Sequence, residues 1–136
     1  MPAEPTSLVL TVTPEPGRRF AIAIRDHVVH VDQPVEDGGA DSAPTPLELL
    51  LASLASCVAH YARNYLVRHE ISGEGLKVQA RGELVKGPAH LDNIVVSVTF
   101  PMGLPEDKRA ALLAVASHCT VHNTLAVGPN IKVEGR

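Results

Sequence analysis

The sequence predicts an α+β fold, mostly antiparallel in its sheets, organised around one long central helix. Three observations carry that expectation. Residues 45–70, TPLELLLASLASCVAHYARNYLVRHE, are apolar on every side over their first two turns. The β-like segments come in neighbouring runs joined by turns instead of helices. Their order along the chain is strands, helix, strands, helices, strand, which is the pattern of α+β domains.

The N-terminal strands are expected within residues 7–31. Residues 7–13, SLVLTVT, read as a strand, Pro14, Pro16 and Gly17 as a turn, and FAIAI at 20–24 as a second, alternating strand. A turn over 25–27 leads into a short third strand at 28–31. Arg18 and Arg19 fall at the tip of the first hairpin or just after it. Residues 32–44, DQPVEDGGADSAP, are acidic, rich in Pro and Gly and without periodicity. They read as a loop, long enough to be of the kind that often carries function.

The central helix, 45–70, opens with a start signal. Thr45 can cap it, Pro46 suits the first helical position, and Glu48 completes a capping box. A helix that is apolar all round is not a surface helix, so it is expected as the buried spine of a domain or of a dimer. Ala52, Ser53, Ala55, Ser56 and Ala59 are small enough to let other backbone approach closely. Ser72, Gly73 and Gly75 stop the helix. A hairpin follows at 76–100. Its first strand, 76–85, puts Leu76, Val78, Ala80 and Leu84 on one face and Lys77, Gln79, Arg81 and Glu83 on the other. Residues 86–90 form the connection, and 94–100, IVVSVTF, the antiparallel partner.

C-terminal helices are expected over 105–126. Pro105 starts the first, with Glu106 and Asp107 against the positive end of its dipole. The pattern breaks at 117–119 and resumes over 120–126, until Gly128 and Pro129 end it. Residues 130–133 read as a last strand. At 136 residues the whole, 1–136, is expected to be a single domain.

Composition narrows the function classes. The formal net charge is −3, and no cluster of basic residues appears, which argues against nucleic acid or an anionic membrane as partner. Aromatic residues make up only 3 %, with no Trp, so stacking platforms for bases are missing. The hydrophobic fraction of 45 % suggests an oligomer that buries apolar surface between subunits. The opening residues do not read as a signal peptide, and Glu48, His60, Arg63 and Arg68 interrupt the spine before the ~20 residues of a membrane span. A cytoplasmic location is the default expectation. In that reducing compartment two cysteines are better explained by catalysis or metal binding than by a structural disulfide.

Those cysteines are the chemistry-bearing residues. Cys57 lies mid-helix, and Cys119 lies at a helix break. Read blandly, both are small buried hydrophobes. Each is followed three residues later by a histidine, Cys57/His60 and Cys119/His122, so a tetrahedral zinc site is a second reading, though not with a common finger spacing. A third is redox chemistry, in which one thiolate attacks a peroxide and the other thiol traps the sulfenic acid as a disulfide. Cys57 gains nothing from the helix dipole mid-helix and would need a nearby cation. Cys119, at a helix start, is the better thiolate on dipole grounds. Arg18, Arg19 and Arg25 are the candidate cations. Glu48, nine residues before Cys57, lies about 180° around the helix from it, which favours its capping role.

The run GGADSAPTPLELLLASLASC, followed 62 residues later by HCTVHNTL, resembles the OsmC/Ohr family of osmotically induced and organic hydroperoxide resistance proteins. That resemblance implies an OsmC-like fold and an intertwined homodimer, with central helices buried against each other and active sites at the subunit interface. It implies a thiol-dependent peroxidase acting on organic hydroperoxides. Cys57 is then the nucleophile and Cys119 the resolver, with Arg19 or Arg18 and Glu48 supporting the thiolate. It implies reduction by an external dithiol, in one branch a lipoyl group on a partner protein, with no cofactor and no metal. Leu47 stands where the peroxidase branch has Glu. Pro-x-Glu-Leu-Leu is the form of the broader OsmC-like members, for which a dimeric binding or redox-sensing module is the alternative expectation.

Overall fold

A computed structural model describes residues 3–136 of the chain. They form two compact units, one up to Leu49 and one from Leu50 onward.

The first unit is a three-stranded antiparallel meander of β1 (Thr11–Pro14), β2 (Phe20–Ile24) and β3 (His27–Val31), in that order. Gly17, at φ 77°, turns the chain between β1 and β2, and Arg25, at φ 53°, supplies the left-handed residue of the two-residue turn that follows. The expected strand over 7–13 is shorter: β1 begins only at Thr11. Thr11 pairs with Ala23, and β2 ends one residue later, so the chain before Thr11 has no strand to pair with. Leu8 there is 92 % exposed.

The loop after β3 has its own internal structure. It contains a 3₁₀ turn, Val35–Asp37, and closes on itself, the Asp32 amide donating to the Pro44 carbonyl at 3.1 Å. Its centre is the carboxylate of Asp32, only 2 % exposed, which accepts from the amides of Gln33, Ala40 and Ser42 and from the Ser42 hydroxyl. Glycine is required at 39. A Cβ there would lie 2.0 Å from the Gln33 carbonyl oxygen and 2.8 Å from Asp32 Oδ1.

Helix α1 (Pro46–Arg68) starts as the sequence predicts. The Thr45 amide donates to Glu48 Oε1 at 2.9 Å, and the Glu48 amide to Thr45 Oγ1 at 3.2 Å. Burial is narrower than expected for an apolar-all-round spine. Leu54, Val58, Ala62, Tyr65 and Leu66 form one buried stripe at helical spacing, whereas Leu47 is 40 % exposed. The stop also differs. Glu70, at φ 56°, takes the left-handed position, with Ile71 N–H donating to the Leu66 carbonyl and Glu70 N–H to that of Val67. This is a Schellman ending completed before the glycines are reached.

The second unit packs that stripe against a two-stranded antiparallel sheet, β4 (Lys77–Val85) and β5 (His90–Thr99), and against α2 (Arg109–Ala116) and α3 (Thr120–Val127). Strand β5 starts four residues before the expected 94. Asn93, at φ 50°, absorbs an extra residue opposite Gly82, and pairing then continues to Val85↔His90. The bulge turns both Leu91 and Ile94 inward, and a Cβ on Gly82 would crowd Ile94 at 3.2 Å and touch Leu91 at 3.6 Å. Leu84 shares the inner face by register but is exposed at the hairpin's far end. A 3₁₀ turn, Glu106–Lys108, precedes α2. Leu66, Leu104, Leu112, Ala116 and Cys119 are the most buried residues of this core, together with Ala62. The strand expected at 130–133 is absent. It pairs with no strand among the described residues, and Ile131 and Val133 are exposed.

Candidate functional site

Helix α2 ends at Ala116, and α3 begins at Thr120. Between them the chain turns through Ser117 and His118, and Cys119 becomes the N-cap of α3 in an extended conformation. Its Sγ accepts from the His122 amide at 3.3 Å, a sulfur doing the work usually given to a Ser or Asp oxygen. The side chain is completely buried. Cys57 approaches from α1, half-buried, with core residues Leu54 and Val58 on its own helix. The two thiols are free and adjacent, close enough for Cys57 to perturb the titration of Cys119.

That titration corrects the dipole argument. Burial pushes the Cys119 thiol up, the His122 amide pulls it partly back, and the neighbouring Cys57 sulfur raises it again. The net direction is upward from the ordinary value, so the helix start does not make Cys119 the readier thiolate. Desolvation outweighs the amide contacts here because the sulfur is sealed inside the core.

Tyr61, one turn after Cys57, reaches the same joint. Its hydroxyl lies 2.8 Å from Thr120 Oγ1, the residue after Cys119. The histidines do not converge. His122 Nδ1 is bonded to the Ser117 carbonyl, and His60 Nε2 lies 3.3 Å from Asn64 Nδ2. Among the described residues no group of three or more His, Cys, Asp or Glu is gathered as metal ligands. A groove of about 420 Å³ opens in this unit, with Leu54, Val58, Ile94, Val96, Leu113 and Leu125 among its walls and Ser117 and His122 as its polar groups.

The other candidate residues belong to the first unit. Arg19 is held at both ends of its guanidinium, Nε to Glu15 Oε1 at 2.8 Å and Nη1 to Ser42 Oγ at 3.0 Å. His30 Nδ1 shares the same Glu15 oxygen at 2.8 Å. The Arg19 bond, followed by His30, holds the Glu15 carboxyl below its ordinary value. Ser42 then passes the contact on to Asp32, so His30, Glu15, Arg19, Ser42 and Asp32 form one polar chain. Arg18 makes no hydrogen bond or ion pair among the described residues. Glu48 is engaged by Thr45, whose amide and hydroxyl lower its pKa. Sequence reasoning missed Glu15, Asp32, Ser42 and Thr120. An isolated acid or hydroxyl carries no pattern that foretells a partner far along the chain.

The family described as OsmC-like protein matches residues 38–134. No curated protein matches the chain in sequence. Among solved structures, the chain is similar to an osmotic stress induced and detoxification response protein, so proposed, from Psychrobacter arcticus. The identity is 21 %, each chain is covered to 91 %, and the TM-score is 0.78. It is similar to an OsmC-like protein from Mycoplasma pneumoniae, at 19 % identity, 89 % and 88 % coverage and a TM-score of 0.77. It is also similar to an organic hydroperoxide resistance protein from Legionella pneumophila, at 22 % identity, 90 % and 91 % coverage and a TM-score of 0.69. At these identities the likeness is one of fold. With the matching region running from Gly38 through both cysteines, the chain belongs to the OsmC-like protein family.

Proposed function

We propose that this chain is a thiol-dependent peroxidase that reduces organic hydroperoxides, with Cys57 as nucleophile and Cys119 as resolver. The observation that carries the reading is the asymmetry of the pair. Two free thiols are neighbours, one half-buried on α1, the other sealed in the core with its pKa raised. The more accessible sulfur meets the oxidant, and the sealed one waits as a thiol.

In the first step the Cys57 thiolate attacks the outer oxygen of the hydroperoxide. An S–O bond forms as the O–O bond breaks, and the alkoxide leaves and takes a proton to become the alcohol. In the second, the Cys119 sulfur attacks the sulfenic sulfur of Cys57. The S–S bond forms, the S–O bond breaks, and hydroxide leaves as water. An external dithiol, such as a lipoyl group on a partner protein, then reduces the disulfide and is itself oxidised. Organic hydroperoxides are the substrate class because apolar walls such as Leu54 and Val58 reward burial of a hydrocarbon tail. The working form is a cytoplasmic homodimer with one folded domain per chain.

The test is a stoichiometric dose of cumene hydroperoxide followed by mass spectrometry and a consumption assay. A rapidly formed Cys57–Cys119 disulfide in the parent, and no consumption by Cys57→Ser, is the expected outcome. Consumption by Cys57→Ser at the parental rate would overturn the proposal. A second reading, a dimeric binding or redox-sensing module, is favoured by one observation. Glu48 and Arg19 are already engaged by Thr45, Glu15 and Ser42, and the groove lined by Leu54 and Val58 is apolar. Thiols inert to the same dose would support it.

A further inference from the structure

The Tyr61–Thr120 hydrogen bond stands one step along from the thiol pair on both elements that carry it. Cys57 and Tyr61 are four residues apart on α1 and therefore share a face. Cys119 and Thr120 are consecutive at the joint between α2 and α3. Cys57 thus packs on the core that contains Cys119, and one turn on Tyr61 is bonded to the residue after it.

We propose that Tyr61 and Thr120 are positioning residues that hold the start of α3 on α1 while Cys119 attacks an adduct on Cys57. The need for such a clasp follows from the capping geometry. In the reduced protein the Cys119 sulfur is itself what caps α3, accepting from the His122 amide. To bond Cys57 it must turn its lone pair towards that sulfur, and a disulfide tolerates only a narrow range of Cα separations. The cap is weakened at the moment when the helix start must stay in place. Helix ends fray when their caps are lost. The phenol–hydroxyl bond at the next residue does not involve either sulfur, so it persists through the exchange. Asn123 N–H to the Cys119 carbonyl, at 2.9 Å, keeps the first turn closed but does not tie it to α1. Among the described residues, Tyr61–Thr120 is the side-chain hydrogen bond between α1 and α3.

The inference deepens the thiol reading, and its test separates the two. Glutathione disulfide is used first, because it needs no peroxide chemistry. The Cys57 thiolate displaces one glutathione thiolate to give a Cys57–glutathione mixed disulfide. Cys119 then displaces the second and closes the Cys57–Cys119 bond. Quenched mass spectrometry reads the lifetime of the mixed disulfide in the parent, Tyr61→Phe, Thr120→Val and Thr120→Ser. Its expected lifetime in Tyr61→Phe and Thr120→Val is longer by about five- to tenfold, the effect of one ordinary hydrogen bond. Thr120→Ser, which keeps the hydroxyl, behaves as the parent. The rate of the first displacement is the same in all four, which a general loss of structure would not allow.

The same four proteins are then given cumene hydroperoxide with dimedone, which traps sulfenic acid. More trapped Cys57 in Tyr61→Phe and Thr120→Val supports the clasp. Equal mixed-disulfide lifetimes in the parent and both hydroxyl-deleted variants would overturn it. So would a mixed disulfide that persists in the parent. A parent that resolves glutathione but ignores the hydroperoxide removes the peroxidase reading and leaves the clasp standing.

Discussion

The carboxylate of Asp32 holds Ser42 twice, accepting from its amide at 3.0 Å and from its hydroxyl at 2.7 Å. These bonds, with the Gln33 amide, depress its pKa from 3.8 to about 2, more than offsetting its desolvation. A carboxyl with a depressed folded pKa stabilises the fold above its unfolded pKa and loses that contribution as pH falls through the folded one. Asp32→Asn is therefore expected to lower the melting temperature at neutral pH. The gap to the parent should close between about pH 3.8 and about pH 2. Melts of both proteins across that range check it, and a gap that stays constant would contradict the assignment.

Gly39→Ala tests the same loop sterically. Its Cβ would fall 2.0 Å from a backbone oxygen, which no side-chain rotation relieves. The two arms of the loop must move apart, at a destabilisation of about 1–3 kcal/mol by analogy with overpacked cores. Denaturant unfolding measures it. Gly17→Ala, at φ 77° but in open space, should lose less.

The core predicts a contrast between two leucines. Leu112 is fully buried, and its truncation to Ala should destabilise by about 2–5 kcal/mol. Leu84, exposed at the hairpin's end, should change stability by no more than about 0.5 kcal/mol on the same substitution. A matching loss at Leu84 in dilute solution would mean that another surface covers it.

What was legible in the sequence had a local cause. Thr45, Pro46 and Glu48 announce α1 because a capping box is made of neighbours, and FAIAI announces β2 because alternation is written along one strand. The pairing of Cys57 with Cys119 needed the family resemblance, since a pairing across 62 residues leaves no periodic trace. Where the reading failed, the deciding partner lay elsewhere. Residues 7–10 and 130–133 have strand composition but no strand to pair with, and β5 passes through a bulge at Asn93 that breaks its alternation. Glu70 closing a Schellman turn is likewise a left-handed residue that its side chain does not advertise. The polar chain from His30 to Asp32 was invisible because its members are single residues on separate strands and loops.

The raised pKa of Cys119 gives the last prediction. Burial and the adjacent Cys57 sulfur both favour its thiol form, so at neutral pH little of it is thiolate. The attacking species in thiol exchange is the thiolate. Closure of the Cys57–Cys119 bond should therefore accelerate as pH rises, with its inflection above the ordinary thiol value of 9.0. The first attack by Cys57 is followed in the same runs, so that closure is timed from a formed adduct. Cys119→Ser should abolish closure and leave a Cys57 sulfenic acid that dimedone traps at every pH, with one equivalent of hydroperoxide consumed and no turnover. Quenched-flow mass spectrometry of both steps across the alkaline range measures the closure rate. A closure rate that is flat through that range would mean that Cys119 is already ionised when it attacks, against the burial that the fold imposes on it.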